Sequence, residues 1–251
     1  MIFDSHAHLT DTRFENDLDR IINDFDGFIL APGCNIDDSA KSVELAGEYD
    51  KIYAAVGIHP HDAKDVAGDY IQILKQMLNE NKVVAIGEIG LDYHYDFSPR
   101  EAQKEVFNKQ LELAKETNFP VIMHMRESTG DFLQIVKEFG ISGVMHCFSG
   151  SLETAKICLD LGLYISFSGS VTFNNANKLR EVAEYVPLNR IMAETDCPYL
   201  APQSKRGKRN EPEYVKYVLE TIACVKNISY EKAARHTFEN AKKLFDARES
   251  K

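Results

Sequence analysis

Short apolar runs alternate along the chain with longer stretches in which apolar residues recur at helical spacing. The runs are Ile2–Phe3, Gly27–Ala31, Ile52–Ile58, Val83–Ile89, Pro120–Met125, Gly143–Phe148, Leu163–Phe167 and Ile191–Ala193. Between them, segments such as Ile36–Tyr49, Asp69–Glu80, Pro99–Thr117 and Leu152–Leu161 carry the period of an amphipathic helix. Eight strand-helix alternations in 251 residues predict an α/β chain of the (β/α)8 TIM-barrel class, one domain over residues 1–251. A doubly wound open sheet is the structural alternative, but no Gly-rich nucleotide turn follows the first run. Two more helices are predicted over Glu213–Lys226 and Tyr230–Phe245, and a polar tail closes the chain.

Composition narrows the class. A 44% hydrophobic, 27% charged chain holds enough apolar residues for a sizeable core. Asp4 and His6 interrupt the apolar start, so it does not read as a signal peptide. No run approaches the roughly 20 apolar residues of a spanning helix. Five cysteines without a Cys-x-x-Cys pair suggest free thiols in a reducing cytoplasm. The net charge of −10 argues against broad nucleic-acid binding, though bound cations or a local basic patch would reverse the sign at one site.

The residues at the end of each run carry the chemistry, because catalytic groups of such barrels sit at the C-terminal ends of the strands. Asp4-Ser5-His6-Ala7-His8 comes directly after the first run. On an extended strand His6 and His8 would project the same way, about 6.5–7 Å apart, and share one divalent ion. The third run leads into His59-Pro60-His61; His59 is expected to contact substrate, His61 to be a loop residue. Glu88 sits inside an apolar segment, where a carboxylate is costly unless paired or metal-bound. Asp92 is expected in the loop after it. His124 and Arg126 share a face on the fifth run, Arg126 suited to a phosphate or carboxylate. His146 ends the sixth, with the neighbouring Cys147 read as a core residue. On the eighth, Asp196 is the expected ligand and Glu194 the carboxylate that orients a ligating histidine. Beyond it, Lys205-Arg206-Gly207-Lys208-Arg209 would suit a phosphodiester backbone.

Each of His6, His8, Glu88, His124, His146 and Asp196 has a packing explanation taken singly. Together they form a nitrogen and carboxylate set suited to Mg²⁺, Mn²⁺ or Zn²⁺. With that set the chain resembles the TatD family of metal-dependent deoxyribonucleases, within the amidohydrolase-like superfamily. The likeness runs over nearly the whole length. It is carried by Asp4-Ser5-His6-Ala7-His8, Gly57-Ile58-His59-Pro60-His61, Gly87-Glu88-Ile89-Gly90-Leu91-Asp92-Tyr93 and His146-Cys147-Phe148-Ser149-Gly150. Glu194-Thr195-Asp196-Cys197-Pro198-Tyr199-Leu200-Ala201-Pro202, Arg206-Gly207-Lys208-Arg209-Asn210-Glu211-Pro212 and Glu239-Asn240-Ala241 complete it. Two places depart from the family pattern, around the fifth-run His-x-Arg in His124-Met125-Arg126-Glu127-Ser128 and at Gln203-Ser204-Lys205, and neither departure alters a candidate ligand.

The resemblance implies those six residues as metal ligands, one or two divalent cations, and hydrolysis of DNA phosphodiester bonds, often from a 3′ end on single strands; two cations per chain are expected. The expected mechanism has His6, His8, Glu88 and Asp196 on one ion and Glu88, His124 and His146 on the other. Glu88 and Asp196 are the catalytic carboxylates of a metal-activated water. His59, Arg126, Arg206, Lys208 and Arg209 would hold the strand. Neither a membrane nor an obligate protein partner is implied. Two other readings compete. One is a hydrolase of the same fold acting on a small amide, lactone or phosphoester. The other is a non-catalytic nucleic-acid or partner-binding protein with a structural metal. Structural sites usually close with four protein ligands, and six ligands over two ions leave positions open.

Overall fold

The computed structural model describes residues 1–245; the predicted polar tail after Phe245 lies outside the described residues. In chain order the elements are β1 (Ile2–Asp4), α1 (Leu18–Asp24), β2 (Gly27–Pro32), α2 (Ile36–Glu48), β3 (Ile52–Val56) and α3 (Tyr70–Met77). Next come β4 (Val83–Asp92), α4 (Arg100–Thr117), β5 (Val121–Arg126), α5 (Thr129–Phe139), β6 (Gly143–Met145) and α6 (Leu152–Asp160). The chain ends with β7 (Tyr164–Phe167), α7 (Asn177–Tyr185), β8 (Ile191–Ala193), α8 (Val215–Lys226) and α9 (Tyr230–Phe245). The eight strands form one sheet in the order β1 to β8, which is the predicted (β/α)8 fold class. No described helix is long and apolar enough to cross a membrane.

Local chemistry sets the helix ends. The Asn35 side chain accepts from the Asp38 amide to start α2, and Ser151 accepts from Thr154 to start α6. Asn118, Gly140 and Asn227 adopt the left-handed conformation that stops α4, α5 and α8.

The chain divides into two compact units. The first comprises Met1–Ala31 and His146–Lys243. Within it β1 pairs with β2 and β7 with β8, all parallel. Past the end of β8 the chain also runs beside the N-terminal segment: Asp196 N donates to His6 O at 2.9 Å and His8 N to Cys197 O at 2.8 Å. Phe3, Phe28 and Phe238 pack at centroid distances of 6.1–6.5 Å, which seats α9 on β1 and β2. Two motif asparagines act as backbone clamps. Asn240 donates to Leu188 O and Ile191 O at the start of β8, and Asn210 donates to Thr195 O and Tyr199 O just after it.

The second unit comprises Pro32–Met145 with the residues from Leu244. Here β3, β4, β5 and β6 pair in parallel, with register shifts between Ala54 and Ala55 and between Ile86 and Ile89. Phe107 of α4 stacks on Phe132 of α5 at 5.3 Å. Gln110 of α4 accepts from Ile58 N and donates to Ile58 O, fixing the chain next to His59. Gly90 has φ +147°, and a Cβ there would lie 1.9 Å from His124 O. Only glycine lets β4 pass that close to β5.

Three boundaries differ from the sequence expectation in ways that matter for the site; β6 ends at Met145, so His146 lies beyond it. β1 ends at Asp4, so His6 and His8 lie beyond the strand, where the Asp4 carboxylate accepts from His6 N at 3.4 Å. β4 runs on through Asp92, whose backbone pairs with Arg126, and every residue from Val83 to Asp92 is buried.

Candidate metal centres

In the first unit four expected site residues meet. His6 and His146 stack at 3.9 Å, with their rings 17° from parallel. His6 Nε2 lies 3.2 Å from His8 Nε2, and Asp196 Oδ1 is 3.4 Å from His8 Nε2 and 3.9 Å from His6 Nε2. His6, His146 and Asp196 offer three ligand atoms within 4.8 Å of one another. Asp196 stands at φ +57°, a turn that aims its carboxylate at the imidazoles. Burial pushes that carboxyl upward, but the hydrogen bond from His8 and the charges of His146, His8 and His6 bring it below its ordinary range.

Behind this group Glu194 is fully buried. Its Oε1 lies 3.2 Å from His146 Nδ1 and accepts from Cys147 N at 2.7 Å. A carboxylate at Nδ1 leaves Nε2 as the lone-pair nitrogen of His146. Asp4, for which the sequence predicts no role of its own, is buried at the end of β1 and accepts from Thr195 N at 2.8 Å and Thr195 Oγ1 at 2.6 Å. Burial drives its carboxyl up to about 8, against the Thr195 bonds that lower it. The only sequence signal for Asp4 is a carboxylate directly after an apolar strand. Cys147 is not a plain core residue: it turns at φ +43° and its Sγ sits 3.1 Å from Ser168 Oγ.

In the second unit Glu88 and His124 meet at 2.9 Å, between Oε1 and Nδ1, and His59 Nε2 lies 3.4 Å from the same carboxylate oxygen. These three also present ligand atoms within 4.8 Å of one another. His59 is thus buried beside the candidate ligands. Burial lowers its pKa to about 4 despite the Glu88 carboxylate, so the ring is a neutral donor at pH 7. Asp92 Oδ2 reaches His61 Nε2 at 2.9 Å and His124 Nε2 at 3.2 Å, while its Oδ1 accepts from His94 N and Tyr95 N. Burial alone would raise the Asp92 carboxyl; the bonds from His124, His61 and Tyr95 N hold it well below the ordinary carboxylate range. The sequence undervalues Asp92 and His61 because alternation alone puts one in a loop and the other on its surface.

The donor sets fit divalent cations. Both are imidazole nitrogen and carboxylate oxygen without thiolate, a choice that suits Zn²⁺, Mn²⁺ or Mg²⁺. Among the described residues Glu194 Oε2 is buried with no hydrogen-bond partner, a cost that positive charge nearby would offset. Two imidazole nitrogens 3.2 Å apart, as in His6 and His8, must share a proton or a cation.

The expected substrate residues lie apart in character. Arg126 stacks its guanidinium 4.6 Å above the Tyr95 ring. Arg206 and Lys208 are exposed, and Arg206 lies 4.5 Å over Phe173. Arg209 is committed to carboxylates: it bonds Asp17 through both terminal nitrogens, at 2.8 and 2.7 Å, and Glu211 at 3.0 Å. Much of its charge is therefore neutralised within the chain.

Residues 3–246 match the family described as TatD related DNase. This chain belongs to the TatD family. It is 47% identical over 252 residues to the uncharacterized metal-dependent hydrolase YabD of Bacillus subtilis, covering 98% of this chain and 99% of that protein. It is 33% identical over 258 residues to the 3′-5′ ssDNA/RNA exonuclease TatD of Salmonella typhimurium, at 98% and 99% coverage. The crystal structure of YJJV, a TatD homolog from Escherichia coli K12, superposes with a TM-score of 0.92 at 30% identity, covering 98% of each chain. The protein is a metal-dependent hydrolase of the TatD family with the (β/α)8 fold, within the amidohydrolase-like superfamily.

Proposed function

We propose that this TatD-family hydrolase is a nuclease that cleaves phosphodiester bonds at the 3′ end of single-stranded DNA. The observation that carries this reading is the two sets of buried and half-buried imidazoles and carboxylates, His6, His146 and Asp196 in one and His59, Glu88 and His124 in the other. The relatives described as 3′-5′ ssDNA/RNA exonucleases support the polarity and the single-stranded substrate.

On this reading His6, His8, His146 and Asp196 hold one divalent cation, and Glu88 and His124 hold a second with His59 beside them. Bound there, such ions would supply Lewis-acid stabilisation of the negative charge that develops on phosphate oxygens. Asp196 takes a proton from the attacking water at its carboxylate, as a general base. The water oxygen bonds phosphorus as the P–O3′ bond breaks, and the leaving oxygen acquires its proton from solvent. Glu194 holds the His146 ring through Nδ1, and Asp92 holds His61 and His124. Arg126, Arg206 and Lys208 bind the phosphates. Five free cysteines agree with a cytoplasmic location.

The test is to strip the protein with chelator and track end-labelled single-stranded DNA on a sequencing gel, with and without Mg²⁺ or Mn²⁺. The expected result is a metal-dependent ladder that shortens from the 3′ end, slowed at least roughly a hundredfold in a folded Asp196→Asn variant. Full activity in that variant, or no cleavage by folded, metal-loaded protein, overturns the proposal.

A further inference from the structure

We propose that Tyr95, Phe97 and Arg126 form a subsite that stacks one unpaired nucleobase and pairs with a phosphate of the same strand, and that it deepens the nuclease reading on which it rests.

Two features single these residues out. Tyr95 and Phe97 are 48% and 56% exposed, whereas the other large apolar side chains described in the second unit are buried or half-buried. They are also neighbours, stacked at 5.2 Å with their planes 21° apart. The aromatic surface that this pair still leaves in water gains by being covered. The left-handed turn at Asp96, φ +52°, separates them in sequence and brings both to one side.

The rings are not a floppy loop tip. Asp92 Oδ1 accepts from His94 N at 3.0 Å and Tyr95 N at 2.9 Å, while Gln103 bonds the carbonyls of Asp92 and Ser98. Ser98 Oγ donates to His61 O at 2.7 Å. The His61 ring meets Phe97 edge-on at 4.8 Å and Tyr95 at 5.4 Å. The same Asp92 carboxylate holds His124, so one buried group ties the aromatic pair to the candidate metal ligands. A preorganised platform loses little entropy when a ligand settles on it.

Charge identifies the occupant. Arg126 lies over the Tyr95 ring at 4.6 Å and, among the described residues, makes no ion pair with a carboxylate, in contrast to the doubly paired Arg209. An exposed aromatic pair beside a guanidinium that pairs with no carboxylate among the described residues matches a nucleobase with its phosphate, the pairing used by single-strand binders. A duplex keeps its base faces stacked on one another, so this subsite selects unpaired ends.

The experiment uses the full-length, metal-loaded protein with two single-stranded oligonucleotides protected by phosphorothioate linkages at the 3′ end. One carries 2-aminopurine at its 3′-terminal position and the other an abasic residue there. Binding is read by 2-aminopurine quenching and, for both, by anisotropy of a 5′ label. The base-bearing strand is expected to bind roughly tenfold more tightly than the abasic one. Phe97→Ala and Tyr95→Ala, each shown folded by circular dichroism, are expected to erase that difference and the quenching, and Phe97→Trp to restore both. Equal affinity for the two strands in the wild-type chain, or an undiminished preference in both alanine variants, overturns the subsite. Cleavage is scored separately on unprotected DNA. A chain that cleaves without base preference loses the subsite alone, and one that binds as described without cleaving loses only the nuclease reading.

Discussion

Glu194 shows how much depends on a side chain that need never touch substrate. It is buried, it faces His146 Nδ1, and it receives the Cys147 amide. Replacing it by Gln keeps an acceptor for the amide but removes the charge that favours one tautomer of the His146 ring. The Glu194→Gln chain is therefore expected to stay folded and to bind Mn²⁺ or Zn²⁺ roughly 10- to 100-fold more weakly, read by calorimetric titration of the chelated protein. Unchanged affinity would assign Glu194 to packing. At this scale most of the candidate chemistry is readable in the chain, because a charged or imidazole side chain at the end of an apolar run has few inexpensive explanations. Asp92, His61 and Asp4 are harder, since their partners His124 and Thr195 are distant in sequence.

Between single residues and the whole fold, short elements are held by polar side chains whose titration is predictable. Asp11 precedes a 3-10 turn over Thr12–Phe14 and accepts from Arg13 N, Nε and Nη2 at 2.7–2.9 Å. Hydrogen bonding from Arg13 lowers its carboxyl from 3.8 to about 2, although partial burial works the other way. A depressed folded pKa stabilises the fold above the unfolded value, and that contribution disappears as pH falls from about 4 toward 2. Asp11→Asn is expected to cost about 0.5–1 kcal/mol at pH 7, a figure discounted for the solvent-screened pair. The gap between wild type and variant should close by pH 2, measured by urea denaturation across that range. A gap independent of pH would mean that the asparagine lost packing and not charge. The elements themselves come from periodicity, with most ends within a few residues. Two of the misplaced ends, at β1 and β4, are decided by a buried carboxylate and by pairing with β5, neither of which has a local signature.

For the molecule as a whole, metal and stability are linked. The two donor clusters draw residues from far-separated parts of the chain, so a cation that binds them binds the folded state in preference to the unfolded one. Removing metal is expected to lower the unfolding temperature, and a hundredfold excess of free metal over its Kd should return about 3 kcal/mol. Differential scanning fluorimetry with and without chelator, then with Mn²⁺ added back, measures this. An unfolding temperature indifferent to both would show that the clusters are held by protons and hydrogen bonds alone. Under the proposed nuclease function, the net charge of −10 gives such cations a second use, since a polyanionic strand would need local positive charge to approach an acidic protein.

The alternation of apolar and helical segments, with no Gly-rich nucleotide turn after the first run, points to the (β/α)8 class, because burying eight short apolar runs behind amphipathic helices admits few other arrangements. It also marks six candidate ligands, since their chemistry contradicts their apolar neighbourhood. Tertiary structure alone decides how they group: His146 stacks on His6, and His59 joins Glu88 and His124. It also decides that Arg209 spends its charge on Asp17 and Glu211 while Arg126 lies over an exposed ring. Periodicity reports which face of an element is buried. Which charges meet is set by through-space distances between residues tens to hundreds of positions apart, and those exist only once the strands are in register.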